Sequence, residues 1–179
     1  MWIEMSEVDD FIKELQPSGV SLITLHWTVG SYNQIFQDDY HFQIRGDGAI
    51  WVDPRAFDEH GNFVPLAHAW HHNSRNIGIS LCAMFNATET VGYNPEEPLG
   101  SNPPASYGQY PPTQAQYASM CKLASALVRR YGLTFDKIYT HYDLAQLDGY
   151  PGERWEFKYE KPLILKEVQK VYEETKPTT

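Results

Sequence analysis

Two histidines stand where short apolar, β-branched runs end: His26 in Leu22-Ile23-Thr24-Leu25-His26-Trp27-Thr28, and His141 in Lys137-Ile138-Tyr139-Thr140-His141-Tyr142-Asp143. Such runs read as buried strands. A histidine at the end of a buried strand is rigidly held and still reaches a cleft, which suits a metal ligand. Two of them, far apart in sequence, predict a zinc site assembled by the fold, with three protein ligands and one open position. Two core histidines satisfied by backbone bonds are the plainer alternative. A third ligand is expected close after His141, and the acids there are Asp143, Asp148, Glu153 and Glu156.

The elements that must position these groups follow from periodicity and punctuation. Ser6 to Gln16 carries an N-cap serine and apolar Val8, Phe11, Ile12 and Leu15 at helical spacing, and Pro17-Ser18-Gly19 ends that helix. Val20 to Trp27 is a predicted strand. Tyr40 to Ile44 and Ala49 to Val52 flank Arg45-Gly46-Asp47-Gly48, a hairpin signal. Asn76 to Met84 reads as a central strand. Thr113 is the expected N-cap of a helix through Tyr131, closed by Gly132. A strand over Lys137 to Thr140 and a helix over about Lys161 to Glu174, with Pro162 in its first turn, complete the chain. The expectation is one α/β domain over residues 1–179, a mixed central sheet flanked by helices. A long Pro/Tyr-rich loop interrupts it at about residues 86–112.

Composition excludes several classes. Apolar residues are 42% and charged residues 21% of the 179, ordinary for one globular domain with a sizeable core. The net charge of −9 leaves no basic stripe for nucleic acid. No apolar stretch approaches membrane-spanning length. The first residues lack a basic region followed by an apolar run, so synthesis in the cytoplasm without a signal peptide is expected. Cys82 and Cys121 sit in apolar contexts and are expected to be free buried thiols. Aromatics reach 14%, enough to furnish a groove that stacks on rings or sugars as well as a core.

In order and spacing, several blocks resemble the zinc-dependent N-acetylmuramoyl-L-alanine amidases related to phage endolysins and peptidoglycan-recognition proteins. The blocks are Leu25-His26-Trp27-Thr28; Tyr40-His41-Phe42-Gln43-Ile44 with Asp47-Gly48; His68; Asn73-Ser74-Arg75-Asn76-Ile77-Gly78-Ile79-Ser80-Leu81; and Thr140-His141-Tyr142-Asp143-Leu144-Ala145. They extend from about residue 20 to residue 160.

The resemblance implies a mixed sheet, a zinc ion in a groove, and cleavage of the amide between N-acetylmuramic acid and L-alanine of peptidoglycan. Members commonly carry Lys-x-Asp after the second histidine; here Arg154-Trp155-Glu156 keeps a cation two residues before a carboxylate. Glu156 is therefore the expected third ligand beside His26 and His141, with Asp148 the alternative and Arg154 facing the reacting carbonyl. Tyr40 matches a tyrosine that assists catalysis. His68 matches a groove histidine that would donate to the tetrahedral intermediate, while His41 should face the other side of its strand. Trp27, Asn73 and Asn76 are expected at the substrate, Trp27 by stacking and Asn76 on the peptide stem. Tyr93, Tyr107 and Tyr110 are candidates for the saccharide side. The implied partner is peptidoglycan or a muropeptide, reached at the wall through a membrane lesion. A cytoplasmic muropeptide-recycling amidase and a metal-free peptidoglycan-binding module are the competing readings.

Overall fold

The computed structural model describes residues 1–69, 71–87, 94–101, 103, 108–149 and 155–175. Six strands form one mixed sheet: β1 (Trp2–Ile3), β2 (Leu22–Trp27), β3 (Phe42–Ile44), β4 (Ile50–Val52), β5 (Asn76–Leu81) and β6 (Ile138–Thr140), in spatial order β1-β4-β3-β5-β2-β6. β2 lies between β5 and β6 and is parallel to both, whereas β3 and β4 form the antiparallel hairpin read from the sequence. Among the described residues four α-helices accompany the sheet: α1 (Val8–Ile12), α2 (Gln114–Tyr131), α3 (His141–Leu147) and α4 (Lys161–Glu174). None of the helices described is long and apolar enough to cross a membrane.

Alternation along β2 and β5 divides the molecule. Ile23, Leu25 and Trp27, with Ile77, Ile79 and Leu81, join the apolar core built with α1, α2 and α4. Thr24 and His26, with Asn76 and Ser80, are equally buried but polar, and point to the opposite face, because successive strand side chains alternate. The chemistry-bearing residues therefore sit on the back of a sheet whose front is the hydrophobic core.

The long helices begin and end where predicted. Thr113 accepts from the Gln116 amide while the Gln116 side chain returns to the Thr113 amide, and Gly132 closes α2 at φ 64°. Pro162 occupies the first turn of α4. The first helix is shorter than predicted, a 3₁₀ turn over Met5–Glu7 leading into Val8–Ile12. Two elements go beyond the sequence reading. β1 forms by pairing with β4, and α3 begins at His141 itself. Cys82 and Cys121 are free and buried, and burial pushes both thiols up to about 12.

Candidate metal centre

His26 lies in β2, and the residue before it, Leu25, pairs with Thr140 at the end of β6. The next residue, His141, thus arrives beside His26 at the carboxyl edge of two parallel strands, the edge where open sheets of this kind place their ligand sites. Thr140 is the N-cap of α3: its hydroxyl accepts from the Asp143 amide, and the Asp143 carboxylate accepts from the Thr140 amide at 2.8 Å. Lys161 Nζ donates to that same carboxylate at 2.6 Å, tying the cap to the start of α4. His141 is fixed by this cap as the first helical residue.

Glu156 supplies the third group. His26 Nδ1 and His141 Nδ1 are 3.1 Å apart, His141 Nδ1 and Glu156 Oε1 are 2.9 Å apart, and His26 Nδ1 and Glu156 Oε1 are 4.0 Å apart. Tetrahedral zinc with bonds of about 2.0–2.1 Å sets its ligand atoms about 3.3–3.4 Å from one another. The observed triangle brackets that edge, and two imidazoles with one carboxylate are a donor set that zinc accepts. The residues fit a metal ion. Their side chains are 0% (His26), 8% (Glu156) and 19% (His141) exposed, so the triangle opens outward past His141.

Asp148, the alternative ligand, is engaged elsewhere: His72 Nε2 lies 2.9 and 3.1 Å from its two carboxylate oxygens. That pair joins the end of α3 to the segment before β5. Sequence gave no signal for it beyond the presence of both residue types.

Tyr40 sits against the centre, its ring centroid 5.1 Å from that of His26 and its side chain half-buried. His41 lies behind it, fully buried. The Gly78 amide donates to His41 Nδ1 at 3.0 Å, and His41 Nε2 is 2.7 Å from the Val64 carbonyl. Burial, reinforced by His68, brings the His41 pKa down to about 3, so the ring is neutral and structural.

Four of the expected site residues occupy other positions. His68 is 6% exposed, with Nδ1 3.0 Å from His26 Nε2 and Nε2 2.7 Å from the Asn76 carbonyl. Both its nitrogens are taken by protein, so it stands behind the candidate ligand His26 and not in the groove, and desolvation lowers its pKa to about 4. Asn76 is wholly buried, out of reach of a peptide stem: Thr24 donates to its side-chain oxygen at 2.9 Å and its amide donates to the His72 carbonyl at 2.7 Å. Asn73 uses its side-chain oxygen to accept from the His68 and Ala69 amides at 3.0 and 2.7 Å, fixing the loop that carries His68. Trp27 is 2% exposed and packs against Phe157 in the core. It cannot stack on a substrate, because on a strand the residue after His26 faces away from it.

Tyr110 is exposed and packs edge-on against Tyr32, whose hydroxyl donates to the Pro111 carbonyl at 2.6 Å. Arg154, Tyr93 and Tyr107 lie outside the described residues.

A mixed α/β sheet carrying a largely enclosed His-His-Glu triangle at the carboxyl ends of two parallel strands defines a candidate metal centre. The profile of the N-acetylmuramoyl-L-alanine amidase family matches residues 16–154, and the chain belongs to that family. Among solved structures, the Ph2119 endolysin from the Thermus scotoductus MAT2119 bacteriophage Ph2119 is similar at 16% identity and TM-score 0.51, over 84% of this chain and 86% of that one. It shares the fold. PlyL is similar at 11% identity and TM-score 0.48, over 89% and 91% of the two chains. The amidase AmiD from E. coli, in complex with anhydro-N-acetylmuramic acid-L-Ala-D-gamma-Glu-L-Lys, shows 18% identity and TM-score 0.45, over 69% of this chain and 49% of that one. No curated protein matches the chain.

Proposed function

We propose that the chain is a zinc-dependent peptidoglycan amidase of endolysin type, holding its metal through His26 Nδ1, His141 Nδ1 and Glu156 Oε1. The single observation that carries this reading is the triangle of those three atoms, with edges of 2.9, 3.1 and 4.0 Å. Zinc bound there would supply a Lewis acid that polarises the amide carbonyl and acidifies a water.

The remaining work falls to the chain. Tyr40, beside His26, is placed to hydrogen-bond the oxyanion that develops as water adds to the amide carbon, or to pass a proton to the departing L-alanine nitrogen. Arg154, two residues before Glu156 in the sequence, is the proposed cation toward the same oxygen. His26 and Glu156 are too enclosed to meet substrate broadly, so approach is along the His141 side. Muramic acid and L-alanine are the two sides of the cleaved bond. The peptide stem and the glycan are proposed to lie across the opening that Tyr40 and His141 border.

The test is a digest of purified sacculi by the zinc-loaded protein, with metal content measured on the same sample. One equivalent of zinc and newly released L-alanine amino termini are expected. Action on soluble fragments alone would assign muropeptide recycling instead, and binding without cleavage would refute the hydrolase reading.

A further inference from the structure

Resting on the metal reading of the site, we propose that His68 is a positioning residue that holds His26 in the tautomer able to bind a metal, and that glycine at position 78 is what makes room for it. A metal on His26 Nδ1 requires the ring's proton to be on Nε2, and a buried N–H requires an acceptor. Within the fully buried surroundings of His26 that acceptor is His68 Nδ1, 3.0 Å away. His68 Nδ1 is available to accept only when its own proton is on Nε2. Nε2 faces the Asn76 carbonyl at 2.7 Å, a group that only accepts. The direction of the whole chain is therefore set at its far end by a backbone oxygen of β5: His26 Nε2–H to His68 Nδ1, then His68 Nε2–H to Asn76 O.

The ring of His68 reaches this place by lying flat on β5. A Cβ at Gly78 would stand 2.7 Å from His68 Cγ and 2.8 Å from Nδ1, closer than such atoms approach, and 3.0 Å from Cδ2, a tight contact. Gly78 has ordinary extended backbone in the middle of a strand, so its glycine answers to this contact and not to a turn. On the other side His41 meets the His68 ring edge-on at 5.5 Å, and His26 does the same at 5.1 Å. The Asn73 side chain holds the His68 backbone from below. The ring cannot shift without losing one of these supports.

The test uses the full chain and reads zinc affinity by chelator competition, together with the His26 tautomer by long-range ¹⁵N–¹H correlation in metal-free protein at neutral pH. Expected are an Nε2–H tautomer at His26 and a 10- to 100-fold loss of zinc affinity in His68→Ala and in Gly78→Ala, neither of which alters a ligand. His68→Asn keeps an acceptor where Nδ1 was, and should lose less affinity than His68→Ala. The wild-type tautomer measurement needs no variant to fold. An Nδ1–H tautomer at His26, or a folded His68→Ala protein with wild-type zinc affinity, would overturn the proposal while leaving the metal site standing. A wild-type protein that binds no zinc would overturn both.

Discussion

The rings of Trp27 and Phe157 meet edge-on with centroids 5.4 Å apart, and each is the immediate sequence neighbour of a candidate ligand, His26 and Glu156. Phe157 is wholly buried and adopts φ 60°, a left-handed backbone that a bulky residue rarely takes without being held there. Tyr117 of α2 packs on its other side at 6.1 Å. The core thus grips the residue after two of the three candidate ligands and turns His26 and Glu156 toward the polar face. Phe157→Ala should cost about 3–5 kcal/mol of stability, as large-to-small changes at buried aromatics do. It should also weaken zinc binding by freeing Glu156. Urea unfolding and chelator titration of one preparation measure both; unchanged metal affinity in a destabilised but folded variant would uncouple the core from the site.

Glu156 and Asp148 are separable by stoichiometry. Glu156→Ala should lose bound zinc, since two imidazoles alone leave the triangle without its anionic corner. Asp148→Ala should keep a full equivalent and lose only the tie to His72. Metal analysis after gel filtration decides. A full equivalent retained by Glu156→Ala removes that residue from the site.

Tyr40 neighbours His26 without contributing a ligand atom to the triangle. Tyr40→Phe should therefore retain zinc and reduce kcat by about 10²-fold, the scale of one lost donor to a developing oxyanion. Steady-state kinetics on a soluble muropeptide measures this. A variant of full activity would reduce Tyr40 to a packing role.

Acid stability follows from His41. Its two nitrogens serve the Gly78 amide and the Val64 carbonyl only when the ring is neutral, and burial lowers its folded pKa from 6.5 to about 3. Above pH 6.5 the ring is neutral in both states and stability is full. Between pH 6.5 and about 3 the unfolded chain takes up a proton that the folded one refuses, so stability falls as pH falls. At pH 4.5 this single group should account for a loss on the order of 2–3 kcal/mol. His68, also buried and lowered to about 4, acts in the same direction. Denaturant midpoints between pH 7.5 and 4.5 should show the decline, and His41→Gln should flatten part of it; an unchanged slope would remove His41 as its source.

The strand ends and helix caps were legible because each is written locally: a β-branched run before His26, Thr113 and Gly132 around α2, Pro162 in α4. β1 was not, since two residues carry no period and exist as a strand only through Trp2 and Ile3 pairing with Trp51 and Ile50. The Thr140-x-x-Asp143 cap of α3 was present in the sequence, but the strand before it drew His141 into its own pattern. At the centre, Glu156 was singled out through the resemblance alone, since Arg154-Trp155-Glu156 stands where the family carries Lys-x-Asp. The supporting residues could not, because Asn76 and Asn73 turn inward through partners at Thr24, His72, His68 and Ala69 that only the register brings near. Trp27 was decidable: strand alternation forbids it the face that His26 uses.

The triangle closes only when β6 docks beside β2, a pairing of segments more than a hundred residues apart along the chain. During synthesis, the His141 and Glu156 donors emerge more than a hundred residues after His26. A nascent chain stopped after α2 carries one solitary imidazole of the set. On the proposed metal reading, loading would follow the docking of β6 beside β2, and occupancy would report that docking.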